Sequence, residues 1–229
     1  MLKMSLTNRR SKAFTLAEVL VTLGIIGVVS AMTIPALTQN WQKKSYVTQL
    51  HKVYNEFNQV FTQMINDNQA INLQEAGMSG FVDSSPNYEK RFMQENFKVV
   101  KYCGNSSSGC FGSKYRTING GSSSAPYGTS TVTIAGGAAI TIHDRTIYVD
   151  VNGAKGPNIW GRDMFEMNFY SDGTIDAVPP ECIKSNTNCP SGSNAKQSRE
   201  NLFNSYCKQN GWTTGCFAKI LNDNWEMNY

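Results

Sequence analysis

An uncharged and largely apolar stretch near the N-terminus, residues 19–42, limits most strongly what the protein can fold into. As a single α-helix these 24 residues would be about 36 Å long, and the hydrocarbon layer of a bilayer is about 30 Å thick. Residues 14–37 are almost entirely apolar. The sequence therefore predicts one membrane-spanning helix near the N-terminus.

Charge is distributed unevenly around this stretch, and the distribution predicts an orientation in the membrane. Lys3, Arg9, Arg10 and Lys12 precede the apolar residues, with no acid among the first thirteen positions. From residue 14 onward, lysines and arginines balance aspartates and glutamates. We therefore expect a cytoplasmic N-terminus and a head outside the cytoplasm. The neutral remainder gives no indication of a nucleic-acid partner.

A secretory signal peptide also combines a basic start with an apolar run. Its apolar region is usually shorter, and its small-residue cleavage site follows that region rather than preceding it. Glu18, near the start of the apolar run, is a further unusual feature. An acid within a membrane is costly and needs a partner that offsets the cost.

The residues around Glu18 resemble the leader and N-terminal helix of type IV pilins and of the pseudopilins of type II secretion. In that family a membrane aspartyl peptidase removes the leader and methylates the new N-terminus. The resemblance implies removal of residues 1–13 by a cut between Ala13 and Phe14, with methylation of Phe14. The family usually has glycine before the cut, where this chain has Ala13. The matching residues are Lys12, Ala13, Phe14, Thr15, Leu16, Ala17 and Glu18, followed by the apolar run and Pro35.

Glu18 has a physical role in such a chain once Phe14 is the first residue. The exposed amides and the positive end of the helix dipole favour a carboxylate in the first turn. When subunits stack into a fibre, Glu18 of one copy would pair with the Phe14 ammonium of its neighbour and fix the axial register. The alternative is a plain signal anchor in which Glu18 reaches back to the membrane surface.

Beyond the membrane run, apolar residues continue at helical spacing. This pattern predicts an amphipathic helix with one buried face. Pro35 removes a backbone donor and predicts a kink or local melting near it, and no other convincing break occurs before Asn66. Residues 14–66 are therefore predicted to form one long helix, of which residues 14–37 are the transmembrane segment and filament core. The residues of the face are Tyr46, Leu50, Val53, Phe57, Val60 and Met64.

Residues 67–229 are predicted to form a periplasmic or extracellular head. The expected fold is α+β, with the distal half of the long helix on an antiparallel sheet of about four or five strands. The resemblance implies the same pilin-like arrangement. Glycine and serine clusters predict loops, and a helix is expected from Ser198 through Lys208. Strands are predicted at residues 97–102, 131–134, 138–142, 146–151, 164–170 and 174–178.

The six cysteines favour structural disulfides formed outside the cytosol. No pair has the CxxC spacing of a zinc site, and no histidine lies near any of them. Six cysteines allow 15 pairings, so the pairing stays open. The shortest loops would pair Cys103 with Cys110, Cys182 with Cys189, and Cys207 with Cys216.

One glycine-rich segment holds oxygen ligands that could gather around calcium. These are Asp150, Asn152, Asn158 and Asp163. The spacing is not that of an EF-hand, because Lys155 interrupts it and no glutamate closes the loop. Asn and Asp are also the residues that turns recruit through side-chain hydrogen bonds to the backbone. A structural turn is the favoured interpretation, and no other cofactor is indicated.

The sequence contains no pattern typical of an enzyme. His51 and His143 are the only histidines, and no spacing identifies a nucleophile beside either of them. We find no phosphate-binding loop, HExxH motif or dinucleotide fingerprint. The favoured interpretation is a structural subunit rather than a catalyst.

The resemblance implies an inner-membrane protein that enters a pilus or a secretion pseudopilus and reaches the cell surface in it. Its implied partners are copies of itself or other pilin subunits, the prepilin peptidase, a membrane assembly platform and, before assembly, the lipid bilayer. The alternative is a binding module or enzyme held outside the cytoplasm by an uncleaved signal anchor. Nothing in the sequence separates a major pilin, a minor pilin and a pseudopilin, or motility, adhesion, DNA uptake and secretion.

Overall fold

The structure is a computed structural model that describes residues 14–78, 86–209 and 214–229. The predicted leader, residues 1–13, and with it Ala13, lies outside the described residues. The predicted long helix is confirmed: α1 spans Leu16–Asp67 and continues through Pro35. The chain divides within this helix into two compact units, residues 1–42 and 43–229.

In the described part of the first unit, α1 is apolar and its side chains are exposed. No residue in the most apolar 18-residue segment of α1 is buried, and the helix is long and apolar enough to cross a membrane. A soluble protein would bury such a surface. The exposed large apolar residues are Phe14, Leu16, Val19, Leu20, Val21, Leu23, Ile25, Ile26, Val28, Val29, Met32, Ile34, Leu37 and Trp41.

The second unit contains the rest of α1, further helices and a six-stranded sheet. The shorter helices are α2 (Pro86–Asn96), α3 (Pro180–Ser185), α4 (Ala195–Leu202) and α5 (Thr214–Asn222), with π-helical turns at Gln74–Met78 and Phe203–Cys207. The strands are β1 (Val99–Gly104), β2 (Tyr115–Arg116), β3 (Ser122–Ser123), β4 (Thr131–Ile134), β5 (Ala139–His143), β6 (Thr146–Asp150), β7 (Met164–Phe169) and β8 (Ile175–Asp176).

The sheet has the strand order β1-β4-β5-β6-β7-β8, and every neighbouring pair is antiparallel. The expected α+β class and antiparallel sheet are therefore confirmed, with six strands where about four or five were expected. Strands β2 and β3 form a separate hairpin, Tyr115 opposite Ser123 and Arg116 opposite Ser122. This hairpin lies where the sequence predicts only a loop.

The helix predicted to start at Ser198 starts earlier. Asn194 is the N-cap of α4, and its side chain accepts a hydrogen bond from the Gln197 amide. Ser198 is buried inside the helix, where its hydroxyl donates to the Pro190 carbonyl. The prediction was wrong because asparagine caps a helix as well as serine does.

The buried face of the distal half of α1 forms one side of the main core. Its predicted residues Tyr46, Leu50, Val53, Phe57 and Val60 are all buried. Phe57 and the neighbouring buried Phe61 contact aromatic rings outside α1: Phe57 lies 4.5 Å from Phe97 and Phe61 lies 5.2 Å from Phe169, measured between ring centroids. The helix periodicity thus corresponds to real packing in the second unit.

Three disulfides fix loops around this core. They join Cys103 to Cys110, Cys182 to Cys189 and Cys207 to Cys216, the pairs with the shortest loops. Cys182, Cys207 and Cys216 are fully buried. The last bridge leaves no room at Gly161, where φ is +82° and an added Cβ would collide with the Cys216 sulfur.

Candidate functional site

The start of α1 holds the residues on which the predicted assembly depends. Glu18 lies in the first turn, and its Oε2 accepts hydrogen bonds from the Thr15 amide at 2.8 Å and the Thr15 hydroxyl at 2.9 Å. The Thr15 hydroxyl in turn accepts from the Glu18 amide at 3.2 Å. This reciprocal arrangement is a capping box, in which two side chains satisfy two free amides of the helix end.

This role of Thr15 was not predicted from the sequence. The signal was present, because threonine followed three residues later by glutamate before an apolar run is the sequence pattern of a capping box. One carboxylate oxygen of Glu18 is used within the helix. No described residue donates a hydrogen bond to the other, Oε1.

Phe14 lies two residues before the first residue of α1, and 86% of its surface is exposed. It is three residues ahead of Ala17 and four ahead of Glu18. Because Glu18 lies in the first turn of α1, Phe14 and Glu18 lie at the same end of the helix.

This segment matches a known family model. Residues 8–34 match the prokaryotic N-terminal methylation motif. The chain carries the signal motif of type IV pilins and pseudopilins. The resemblance seen in the residues around Glu18 is thereby confirmed, and the methylation motif includes Ala13, Phe14 and Glu18. No curated protein and no solved structure matches the chain significantly.

Outside the methylation motif, the four candidate calcium ligands lie in one segment of the head, and hydrogen bonds occupy the two acids. Asp163 accepts from the amides of Asn158 and Ile159 at 2.8 and 2.6 Å. Asp150 accepts from the Tyr115 hydroxyl at 2.5 Å and from the Asn152 amide at 3.2 Å. These are the contacts of acids that hold a turn.

The amide oxygens of the two asparagines differ from the acids. Oδ1 of Asn152 and Oδ1 of Asn158 are buried and have no hydrogen-bond partner among the described residues. The Asn152 amide nitrogen donates to the Gly156 carbonyl at 3.1 Å. Within the described ranges, no group of three or more His, Cys, Asp or Glu side chains is close enough to hold a metal ion.

Burial changes the protonation of the two acids. Desolvation, together with the charge of the nearby Asp163, raises the pKa of Asp150 to about 8, although the hydrogen bond from Tyr115 acts in the opposite direction. Desolvation also raises the pKa of Asp163. Their ionised forms are therefore disfavoured, which is the expected effect of removing a carboxylate from water beside a like charge.

The two histidines have structural surroundings. His51 stacks on Trp225 with the ring centroids 4.0 Å apart. His143 Nε2 lies 3.3 Å from the Tyr127 hydroxyl and 3.6 Å from Asp144 Oδ2. None of these contacts involves a serine or a cysteine, and every described cysteine forms a disulfide.

Glu89 is a buried acid that the sequence gives no reason to single out. It lies in α2 among charged neighbours, yet its side chain is 0% exposed. Neither of its oxygens has a hydrogen-bond partner in the described structure. Desolvation, followed by the charge of Asp144, raises its pKa to about 7. Only the three-dimensional packing of α2 reveals this residue.

Proposed function

We propose that this chain is a structural subunit of a type IV pilus or of a type II secretion pseudopilus. It would be made as an inner-membrane precursor with its head in the periplasm and then move into a filament that reaches the cell surface. The observation that carries the proposal is an apolar helix start, exposed along its length and headed by Glu18 within the methylation motif.

Processing would come first. Removal of residues 1–13 by a prepilin peptidase would leave Phe14 as the first residue, with a methylated amine. The exposed position of Phe14 is compatible with access by an enzyme. The new ammonium lies at the end of α1 that carries Glu18, four residues away.

Membrane residence would follow from the composition of α1. Its exposed apolar side chains suit lipid, and Trp41 is 71% exposed just after them. Lys44 follows and is also exposed. An aromatic ring and a cation at the end of an apolar run are typical of the boundary between membrane and water.

Assembly would replace lipid with neighbouring helices. Gly24 and Gly27 have nothing within 4 Å of the position that a Cβ would occupy, so another helix can approach closely there. The free Oε1 of Glu18 would accept a hydrogen bond from the Phe14 ammonium of an adjoining copy, while Oε2 keeps its hydrogen bonds with Thr15. Partners in this step are other pilin subunits and a membrane assembly platform.

The mature N-terminus tests this proposal. The chain is produced together with a prepilin peptidase, and its mass and first residue are determined by mass spectrometry. A mature chain that starts at methylated Phe14 is the expected result. An intact chain starting at Met1, or a cut beyond residue 37, would instead favour a signal-anchored binding module or enzyme.

A further inference from the structure

The head contains a polar cleft whose lining residues have no role in the proposed assembly. Its volume is about 990 Å³, and its walls are the loop after β1, the β2–β3 hairpin and residues 157–158. This volume lies at the upper end of the range for small-molecule sites. Most such sites are lined by apolar side chains, whereas serines and glycines line this one.

Serine hydroxyls are the main side-chain groups of the cleft. None of them forms a hydrogen bond with a described residue. A hydroxyl is both a donor and an acceptor, so this lining complements a ligand that is rich in hydroxyls itself. The serines are Ser107, Ser108, Ser113, Ser122, Ser123 and Ser124.

The charge of the cleft is positive. Lys114 and Arg116 line it, and no aspartate or glutamate does. Both side chains are exposed, and neither forms an ion pair with a described residue. Two unpaired cations beside free hydroxyls favour a ligand that carries negative charge as well as hydroxyl groups.

The wall that carries Arg116 is held rigidly. The Arg116 amide donates a hydrogen bond to the Asn158 carbonyl at 3.0 Å, and the Arg116 carbonyl accepts one from the Trp160 amide at 2.9 Å. The Trp160 indole donates to the Ser124 carbonyl at 3.1 Å, which ties the far side of the hairpin to the same strand segment. A site that is ordered before binding loses less entropy when the ligand arrives.

We propose that this cleft binds an acidic polysaccharide, a sugar chain that carries carboxylate groups. The sugar hydroxyls would exchange hydrogen bonds with the serines, and the carboxylates would contact Lys114 and Arg116. Single-stranded nucleic acid fits less well, because its bases need exposed aromatic rings for stacking. Phe111 and Tyr115, the aromatic residues of the lining, are only 2% and 1% exposed.

Calorimetric titration of the full processed chain tests the proposal, in a polyoxyethylene detergent that carries no sugar. The probes are tetragalacturonic acid, the neutral maltotetraose and a four-nucleotide oligothymidylate. The test variant combines Lys114→Gln with Arg116→Gln. The control combines Lys98→Gln with Lys196→Gln, which removes the same charge from two exposed residues outside the cleft.

We expect tetragalacturonic acid to bind, and maltotetraose to bind at least tenfold more weakly. The cleft variant should bind tetragalacturonic acid at least tenfold more weakly than the unmodified chain, while the control variant keeps its affinity. Absence of tetragalacturonic acid binding would overturn the proposal, as would equal weakening in both variants. Tighter binding of the oligothymidylate, lost in the cleft variant, would overturn it in favour of a nucleic-acid site.

Discussion

At the scale of single residues, Glu18 has an observed role in capping α1 and a proposed role in pairing with a neighbouring ammonium, and an alanine substitution would remove both. Loss of filament incorporation in that variant would therefore have two explanations. A pair of narrower substitutions distinguishes them.

We expect Glu18→Gln to insert into the membrane normally and to enter filaments poorly. Glutamine keeps the capping box but has no charge to pair with an ammonium. Thr15→Ala makes the complementary change. It removes the cap, which lowers helix stability by about 1 kcal/mol, and it keeps the negative charge of Glu18. We expect it to retain most incorporation.

Incorporation is measured as the ratio of each variant in sheared filaments to that in membranes, with the mass of the mature chain confirming normal processing. Normal incorporation of Glu18→Gln would contradict the ammonium pairing. A larger defect in Thr15→Ala than in Glu18→Gln would show that helix capping is the main role of the pair.

Glu89 predicts a dependence of head stability on pH. Desolvation, followed by the charge of Asp144, raises its pKa from 4.5 to about 7 in the folded protein, and its buried carboxyl has no described hydrogen-bond partner. Below pH 4.5 both folded and unfolded states are protonated, so burial carries no ionisation cost. Between about pH 4.5 and pH 7 the unfolded carboxyl is ionised while the folded one keeps its proton, so the free energy of unfolding should fall over this range, by roughly 3 kcal/mol in total, and this contribution is constant above it.

Glu89→Gln should remove this part of the pH dependence. The measurement is denaturant unfolding of the full chain in detergent at pH 5 and pH 8, with Glu95→Gln as the control on the exposed side of α2. We expect Glu89→Gln to be more stable than the unmodified chain at pH 8, and the control to behave like the unmodified chain. An unchanged difference between the two pH values would show that Glu89 is already ionised when folded.

Some of these residues could be predicted from the sequence, and Glu89 could not. Phe14 and Glu18 were identified because leader charge, acid and apolar run coincide within a few positions. Glu89 could not be found this way. It sits between polar and charged neighbours in α2, which is the composition of a surface helix, and only contacts distant in sequence bury it.

At the scale of elements, the strands with alternating or β-branched residues were predictable and the β2–β3 hairpin was not. Its residues are Tyr115, Arg116, Ser122 and Ser123, and serine has little intrinsic preference for strands. The hairpin is held instead by Arg116, whose backbone bonds to the distant residues Asn158 and Trp160. Such nonlocal pairing leaves no periodic pattern in the sequence.

The loop that contains the candidate calcium ligands provides an element-scale prediction. Asp163 holds two backbone amides, so Asp163→Ala should lower the free energy of unfolding by about 2 kcal/mol. If Asp163 only stabilises the turn, the loss of stability is the same in a solution with excess calcium as in one with a calcium chelator. The comparison uses thermal unfolding of the variant and the unmodified chain in both solutions.

A calcium site would give a different result. Calcium would then raise the melting temperature of the unmodified chain, and the rise would disappear in Asp163→Ala and in Asp150→Ala. We expect no such rise, because the carboxylates of Asp150 and Asp163 already accept hydrogen bonds from Tyr115 and from backbone amides.

At the scale of the whole molecule, the division of the chain within α1 separates two kinds of surface. Residues 43–229 have a core of their own, built from the buried face of α1, the sheet and α5. The exposed large apolar side chains are concentrated before residue 42. In the sequence, the corresponding features are the uncharged run of residues 19–42 and the one-sided helix that follows it.

The head should therefore fold without the apolar segment. We expect a fragment of residues 43–229, exported to an oxidising compartment, to be soluble and monomeric with all three disulfides formed, whereas the chain from Phe14 requires detergent. Cutting α1 at Gln42 exposes new helix amides, but Tyr46, Val47 and Leu50 remain buried against the head and should hold the first turns in place.

Sedimentation velocity and a thiol assay measure the outcome. A monomeric fragment without free thiols would show that the surface responsible for association lies before Lys43, as assembly through α1 requires. A fragment that forms dimers or larger species at micromolar concentration would place an association surface on the head itself. The apolar residues 14–41 would then not be sufficient to explain how copies of this chain meet, since the head would bring its own contact into the filament.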